Sequence, residues 1–82
     1  MKETKVTVYT KNGCPKCDMT KNVLNGEGIE FKAINIQDDT DEGRAGYTYV
    51  VDELGLSEMP VVVAEGHEIF TGFKPDKLKA LK

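Results

Sequence analysis

The chain has 82 residues, and 39% of them are hydrophobic, which is enough to bury one modest core. This length predicts a single domain over residues 1–82, too small for a second core. The formal net charge of −3, spread over interspersed lysines and acids, gives no reason to expect a nucleic-acid partner. No apolar run reaches the length of a membrane span, so we expect no membrane partner either.

The first strand and the first helix are predicted from the amino-terminal third. KVTVYT at residues 5–10 alternates β-favouring and polar residues, as a half-buried strand does. A helix is expected to begin at Pro15 and to end within NGEG at residues 25–28, with Gly26 as the glycine that terminates it. The residues expected on the inward face of this helix are Cys17, Thr20 and Leu24.

The middle of the chain predicts a second strand and a second helix. FKAINI at residues 31–36 alternates again, and the helix after it is expected to end at Gly55. The candidates for the helix cap are Asp39, Thr40 and Asp41. Apolar residues at spacings of three and four define the expected inward face. These residues are Tyr47, Val50, Val51 and Leu54.

A hairpin and a short helix are predicted at the carboxyl end. VVVA at Val61–Ala64 is expected to be a buried strand, residues 65–66 a tight turn, and residues 67–70 the returning strand. The last helix is expected to begin at Pro75, with Leu78 and Leu81 facing inward. The order is β-α-β-α-β-β-α. Strands joined through helices favour a parallel sheet, and the hairpin makes it mixed, so we predict an α/β domain with a mixed four-stranded sheet flanked by three helices.

The compartment of the protein is predicted from its first residues. MKETKVTVYT lacks the apolar stretch and the cleavage site of a signal peptide, so we expect a cytoplasmic protein. Thiols are kept reduced in the cytosol. Two cysteines in such a protein are more often catalytic or metal-binding than structural.

Both cysteines lie in the motif CPKC, where the first strand gives way to the first helix. Cys14 falls at or beside the N-cap, and Pro15 fits the first turn because its missing N–H is not needed there. Free backbone N–H groups and the helix dipole should lower the pKa of the Cys14 thiol and favour the thiolate. Cys17 lies one turn on, so it could attack a mixed disulfide at Cys14 and release the reduced substrate.

Two other interpretations of the cysteine pair stay open. A structural disulfide across so small a loop would contribute roughly 2 kcal/mol before strain is subtracted, which is little use in a reducing compartment. Structural zinc needs four ligands, and the chain offers two cysteines and one histidine, His67, so we expect no metal site within one chain. Two chains could still share a metal ion or an iron–sulfur cluster across a dimer.

Three segments of the chain, VYTKNGCPKC, MPVV and TGFKPDKL, resemble the glutaredoxin-like redoxins of the thioredoxin fold. The segment FTGFKP resembles the ending that distinguishes the NrdH-redoxins among them, and the likeness covers nearly the whole chain. It implies a thiol–disulfide oxidoreductase without a bound cofactor, in which Cys14 attacks and Cys17 resolves. It also implies a cis bond between Met59 and Pro60 beside the cysteines, where an extended peptide could pair with the Met59 backbone.

The resemblance further implies the partners. NrdH-redoxins take electrons from NADPH through thioredoxin reductase and pass them to class Ib ribonucleotide reductase, whereas glutaredoxins use glutathione. Here Lys16 stands where glutaredoxins usually have tyrosine, and Lys74 and Pro75 stand where they have a glutathione-holding aspartate, so glutathione is the disfavoured alternative. The chain also departs from the NrdH pattern, with Phe70 for tryptophan, Lys74 for arginine and a glutaredoxin-like Pro15. We expect a monomer, since an electron carrier binds two partners in turn.

The partner-binding surface is expected to surround the cysteines. Lys11 and Lys16 could favour the thiolate or meet a partner, or they could be ordinary solvated lysines. Phe73 could belong to an exposed apolar patch, or it could pack in the core. The residues expected to contact partners are Thr10, Lys11, Pro15, Lys16, Met59, Pro60, Thr71, Gly72 and Phe73.

Overall fold

The computed structural model describes residues 5–81. In chain order it contains strand β1 (Val6–Thr10), helix α1 (Pro15–Gly26), strand β2 (Lys32–Asn35), helix α2 (Asp41–Tyr47), a π-helical segment (Thr48–Glu53) that continues α2, strand β3 (Val61–Ala64), strand β4 (Phe70–Thr71) and helix α3 (Pro75–Lys79). The predicted order of strands and helices is confirmed.

The four strands form one mixed sheet, as predicted, and their order in the sheet is β2-β1-β3-β4. Strands β1 and β2 are parallel, and β3 is antiparallel to both β1 and β4. The connection through α2 therefore does not join parallel strands, unlike the general expectation for strands separated by a helix. Because β3 is antiparallel to β1, it begins where β1 ends, with Val61 opposite Tyr9. This topology brings the segment before β3 and the segment after β1 to the same end of the sheet.

One face of the sheet packs against α1 and α3 and forms the larger core, which we call the aliphatic core. Its helix residues Leu24 and Leu78 are fully buried, and they pack against Val8 and Val62 of the central strands. The inward positions predicted for α1 and α3 are therefore confirmed. The members of the aliphatic core are Val6, Val8, Leu24, Ile29, Val62, Ala64, Phe70, Leu78 and Leu81.

Helix α1 ends later than predicted. Gly26 is its last helical residue, and Gly28 is the glycine with a positive φ, 72°. The Gly28 N–H donates to the Asn25 carbonyl at 3.1 Å, and the Ile29 N–H donates to the Leu24 carbonyl at 2.9 Å, which is a Schellman ending. NGEG contains two glycines, and the second terminates the helix because Ile29 then joins Leu24 in the aliphatic core.

The other face of the sheet holds a smaller cluster, which we call the dithiol core. Along β3 the side chains alternate between the faces, so that Val61 belongs to the dithiol core while Val62 belongs to the aliphatic core. The buried members of the dithiol core are Cys14, Cys17, Val50, Met59 and Val61. Half-buried residues packed against it are Tyr9, Ile36, Tyr49, Val51, Leu56 and Val63.

Helix α2 presents a different face to the sheet from the one predicted. Thr40 caps it as expected, since its hydroxyl accepts the Gly43 N–H at 3.0 Å, but Tyr47 is 48% exposed. Of the other predicted inward residues, Val50 is buried and Val51 and Leu54 are half-buried, and the unpredicted Gly43 and Gly46 are buried as well. A β-carbon at Gly46 would meet side-chain atoms of β1 and β2 at 3.0 to 3.2 Å, so the helix approaches the sheet through its glycines.

The returning strand of the hairpin also differs from the prediction. It is Phe70–Thr71 rather than residues 67–70, although the predicted turn is present, with Gly66 at a φ of 82°. Phe70 pairs with Val62, and its ring is buried in the aliphatic core. Burial of this ring selects the register, because a slip by one residue would turn Phe70 to the other face. Residues 67–69 are left exposed in the loop.

Candidate active site

Cys14 occupies the N-cap of α1, as predicted. Gly13, at a φ of 62°, turns the chain after β1, and Cys14 is extended, with φ −116° and ψ 92°. The Cys14 Sγ accepts the Cys17 N–H at 3.2 Å, and the Cys14 carbonyl accepts the Asp18 N–H, also at 3.2 Å. The sulfur therefore lies at the positive end of a twelve-residue helix with a backbone donor directed at it, which stabilises negative charge there.

Cys14 and Cys17 form a disulfide, with their Cα atoms 5.2 Å apart. Their exposure differs, since Cys14 is 8% accessible and Cys17 only 1%. Cys14 thus lies at the rim of the dithiol core, and Cys17 lies beneath it. An external sulfur can approach Cys14 more readily than Cys17.

The Met59-Pro60 peptide bond is cis, as the resemblance implies. Met59 is buried in the dithiol core together with Cys14 and Cys17. The Pro60 carbonyl accepts the Gly72 N–H at 2.9 Å, which fixes this segment to the end of β4. The segment before β3 therefore lies against the cysteine pair.

Glu58 is a site residue that the sequence analysis missed. Its Oε1 accepts the Thr71 hydroxyl at 3.0 Å, and a β-carbon on Gly72, whose φ is 79°, would lie 3.4 Å from the same oxygen. The available signal was its position, because it directly precedes Met59, which the resemblance places beside the cysteines. Thr71 and Gly72, both predicted site residues, thus contact this acid.

The other predicted site residues divide into exposed and buried ones. Lys11, Pro15 and Lys16 are exposed around Cys14. Thr10, the last residue of β1, is only 5% accessible, so its side chain is buried. Phe73 is half-buried and packs against the aliphatic core, which favours its core-packing alternative.

Hydrogen bonds between amide groups fix the loop before Cys14. The Asn12 N–H donates to Gln37 Oε1 at 2.7 Å, and the Asn35 Nδ2 donates to Asn12 Oδ1 at 2.8 Å. The Gln37 N–H donates to Asn35 Oδ1, also at 2.8 Å, and closes the ring. Sequence reasoning missed this ring, whose only signal was polar amides after two neighbouring strands. It ties the loop that carries Cys14 to the end of β2.

Two aromatic side chains line the dithiol core on the side of α2. The rings of Tyr9 and Tyr49 have centroids 5.8 Å apart and are tilted by 47°. Burial is the main cause that raises the pKa of Tyr9, and the nearby Tyr49 and Glu42 raise it further, whereas Lys32 lowers it. Tyr9 therefore packs against this core.

Among residues 5–81, no group of three or more histidine, cysteine, aspartate or glutamate side chains is arranged to hold a metal ion. His67 lies exposed in the loop between β3 and β4. In the same part of the chain, every helix is too short or too polar to cross a membrane.

The glutaredoxin family model matches residues 6–69, a segment that includes both cysteines and the cis proline. Together with the disulfide at the start of α1, this match defines the protein as a thiol–disulfide oxidoreductase.

Known proteins narrow the class further. The chain is 36% identical to the glutaredoxin-like protein NrdH of Lactococcus lactis, covering 93% of this chain and 97% of that protein. It is 37% identical to the gene 56 protein of Mycobacterium phage L5, covering 93% of this chain and 70% of that one. The solved NrdH-redoxin of Escherichia coli superposes with a TM-score of 0.76 at 29% identity, over 95% of both chains. The chain belongs to the glutaredoxin family and, within it, to the glutaredoxin-like NrdH-redoxins, with their thioredoxin-like fold.

Proposed function

We propose that this protein, acting as a monomeric single domain in the cytoplasm, carries electrons from NADPH and thioredoxin reductase to a disulfide in another protein. The expected acceptor is class Ib ribonucleotide reductase. The observation that carries the proposal is the unequal exposure of the cysteines at the start of α1, with Cys14 at the rim and Cys17 beneath it.

The proposed reaction begins with the reduced protein. The Cys14 thiolate attacks one sulfur of the acceptor disulfide, whose second sulfur leaves as a thiolate and takes up a proton. Cys17 then loses its proton and attacks the Cys14 sulfur, so that the first acceptor sulfur leaves as a thiolate and is protonated. The acceptor gains two electrons and two protons, and the protein is left with the Cys14–Cys17 disulfide. Thioredoxin reductase restores the dithiol with electrons from NADPH.

Two observations support thioredoxin reductase rather than glutathione as the electron source. The solved Escherichia coli NrdH-redoxin is described as a glutaredoxin-like protein with a thioredoxin-like activity profile. In the present chain, Lys74 and Pro75 follow Gly72 and Phe73, and the next carboxylate, Asp76, lies in the first turn of α3, where an acid suits the helix dipole.

The proposed contact surface comprises the exposed residues around Cys14 and the segment before β3. Exposed Lys11 and Lys16 flank the cysteine on the α1 side, and the backbone of Met59 offers hydrogen bonds to an extended peptide. Thr10 is a buried member of this surface. The remaining members of this surface are Pro15, Pro60, Thr71, Gly72 and the exposed part of Phe73.

A paired NADPH-consumption assay with a protein disulfide as acceptor tests the proposal. One arm supplies thioredoxin reductase, the other supplies glutathione with glutathione reductase, and Cys14→Ser serves as the blank in both. We expect turnover in the first arm only, with at least a hundredfold loss, on the order of what removal of a nucleophile costs, in the Cys14→Ser variant. Turnover confined to the glutathione arm would make the protein a glutathione-dependent glutaredoxin.

A trapping experiment checks the order of the two cysteines. Cys17→Ser retains the nucleophile but lacks the resolving thiol, so it should accumulate a mixed disulfide with the acceptor that mass spectrometry detects. Cys14→Ser should accumulate none, because Cys17 is buried. The opposite pattern would contradict the proposed roles.

A further inference from the structure

We infer that Glu58 selects acceptors by charge. Its carboxylate favours disulfides with lysine or arginine beside the reacting cysteine, and it disfavours acidic ones. The inference rests on the proposed function, because it concerns which disulfides reach Cys14.

The position of Glu58 is fixed at the rim of the site. The residue directly precedes Met59, which shares the dithiol core with Cys14. Its side chain is exposed, and the Thr71 hydroxyl holds Oε1 at 3.0 Å. Gly72 has no side chain on the side that faces the carboxylate. A β-carbon there would lie 3.4 Å from Oε1, in van der Waals contact with it. The acid is therefore oriented by the protein and open to a ligand.

No cation among the described residues compensates the charge of Glu58. Over residues 5–81, its carboxylate makes no ion pair, and its hydrogen-bond partner is a neutral hydroxyl. The ion pairs in this part of the chain involve three other acids, Asp39 and Asp41 with Arg44 and Glu42 with Lys32. A cationic group on a partner can therefore pair with Glu58 without displacing a cation of this chain.

The segment at Glu58 lies where an acceptor peptide must pass. A peptide that places its disulfide at Cys14 and pairs with the Met59 backbone advances about 3.3 Å per residue, so the residues next to its cysteine lie beside Glu58. Lys11 and Lys16 are exposed near Cys14 in the chain, and so is Asp18 in the first turn of α1. Removal of the Glu58 charge alone therefore isolates its contribution.

The test uses three disulfide-linked peptide dimers that are identical except for the residues on both sides of the cysteine, which are lysine, glutamine or glutamate. Reduced protein is mixed with each dimer, and the second-order rate of peptide thiol release is measured by acid quench and chromatography. Glu58→Gln removes the charge but keeps an acceptor oxygen for Thr71. Glu65→Gln removes one charge at the far end of β3, after Ala64, and is the matched control.

We expect wild-type protein and Glu65→Gln to share one ratio of the lysine-peptide rate to the glutamate-peptide rate. The ratio should fall about two- to fivefold in Glu58→Gln, the range expected for an exposed charge pair. Glu58→Lys should lower it further. Raising the salt from about 0.02 M to about 0.5 M should bring the wild-type ratio towards that of Glu58→Gln, because salt screens exposed charges.

An unchanged ratio in both Glu58 variants would overturn the inference while leaving the proposed function intact. An equal fall in Glu58→Gln and Glu65→Gln would also overturn it, since net charge alone would then explain the selection. If wild-type protein reduced none of the three dimers, the proposed function itself would fail.

Discussion

The two faces of the sheet are built in different ways. The aliphatic core brings large side chains from α1 and α3 together, with Leu24 and Leu78 fully buried. On the other face, α2 approaches the sheet through Gly43 and Gly46, and the dithiol core lies beside it. The aliphatic core gains stability from large buried side chains. On the other face, α2 can come close to the sheet only because Gly43 and Gly46 have no side chains. Truncating a side chain of the aliphatic core should therefore lower the free energy of unfolding, and so should adding a side chain at the glycines of α2.

The largest effect is expected from Leu24→Ala. This change deletes fully buried methyl groups and leaves a cavity between α1 and the sheet, so it should lower the free energy of unfolding by about 2–5 kcal/mol. Urea unfolding of the oxidised protein measures the loss. Met19→Ala, on the exposed face of the same helix, is the control and should change stability by less than about 0.5 kcal/mol. Equal losses in the two variants would contradict the assignment of the aliphatic core.

The second face should respond to enlargement. A β-carbon at Gly43 would lie 2.5 Å from the Asp38 carbonyl oxygen and 2.8 Å from that of Asn35, so backbone must shift to admit it. Overpacking costs about 1–3 kcal/mol, and the better helix propensity of alanine offsets about 1 kcal/mol of that. We therefore expect a net loss of up to about 2 kcal/mol in Gly43→Ala.

Gly26→Ala is the control for Gly43→Ala in the same urea experiment. Gly26 is also helical, but nothing lies within 4 Å of its would-be β-carbon. Alanine there should stabilise the protein by about 0.4–1 kcal/mol, chiefly by restricting the unfolded chain. A gain of similar size in Gly43→Ala would mean that α2 does not depend on close approach to the sheet.

The same contrast explains which parts of the fold could be predicted. On the aliphatic face, side chains such as Leu24 and Leu78 recur with helical period, so the inward positions are visible in the sequence. On the other face, Gly43 and Gly46 carry no hydrophobic signal, and the π-helical segment (Thr48–Glu53) breaks the 3.6-residue period. The periodicity therefore pointed to Tyr47, which is exposed.

The candidate site likewise contains local features, which could be predicted, and long-range contacts, which could not. Cys14 and Cys17 were predictable, because their spacing, the proline and the preceding strand are local features. The contact between Glu58 and Thr71 spans thirteen positions, and the contact between Asn12 and Gln37 spans twenty-five. Such contacts depend on the strand order and on register, which the local pattern does not specify.

The smallest effect concerns Tyr9, whose ring packs against Gly46, with Cδ1 3.2 Å from the would-be β-carbon. Burial above all raises the pKa of Tyr9 in the folded protein, so the folded state holds this proton at a pH where the unfolded chain has lost it. The stability that protonated Tyr9 gives the folded state is fully present below the unfolded tyrosine pKa, about 10, and is lost as the pH rises through the folded pKa.

Tyr9→Phe should therefore weaken the decline in stability between about pH 9.5 and pH 11, the window around the unfolded tyrosine pKa. Urea midpoints of the oxidised protein measure the decline, since the cysteines do not titrate in that form. The difference in decline between wild-type protein and Tyr9→Phe is the informative quantity. Tyr47→Phe, at the exposed tyrosine that ends α2, should follow the wild-type curve. If both variants weakened the decline equally, burial of Tyr9 against the glycine face would not be its cause.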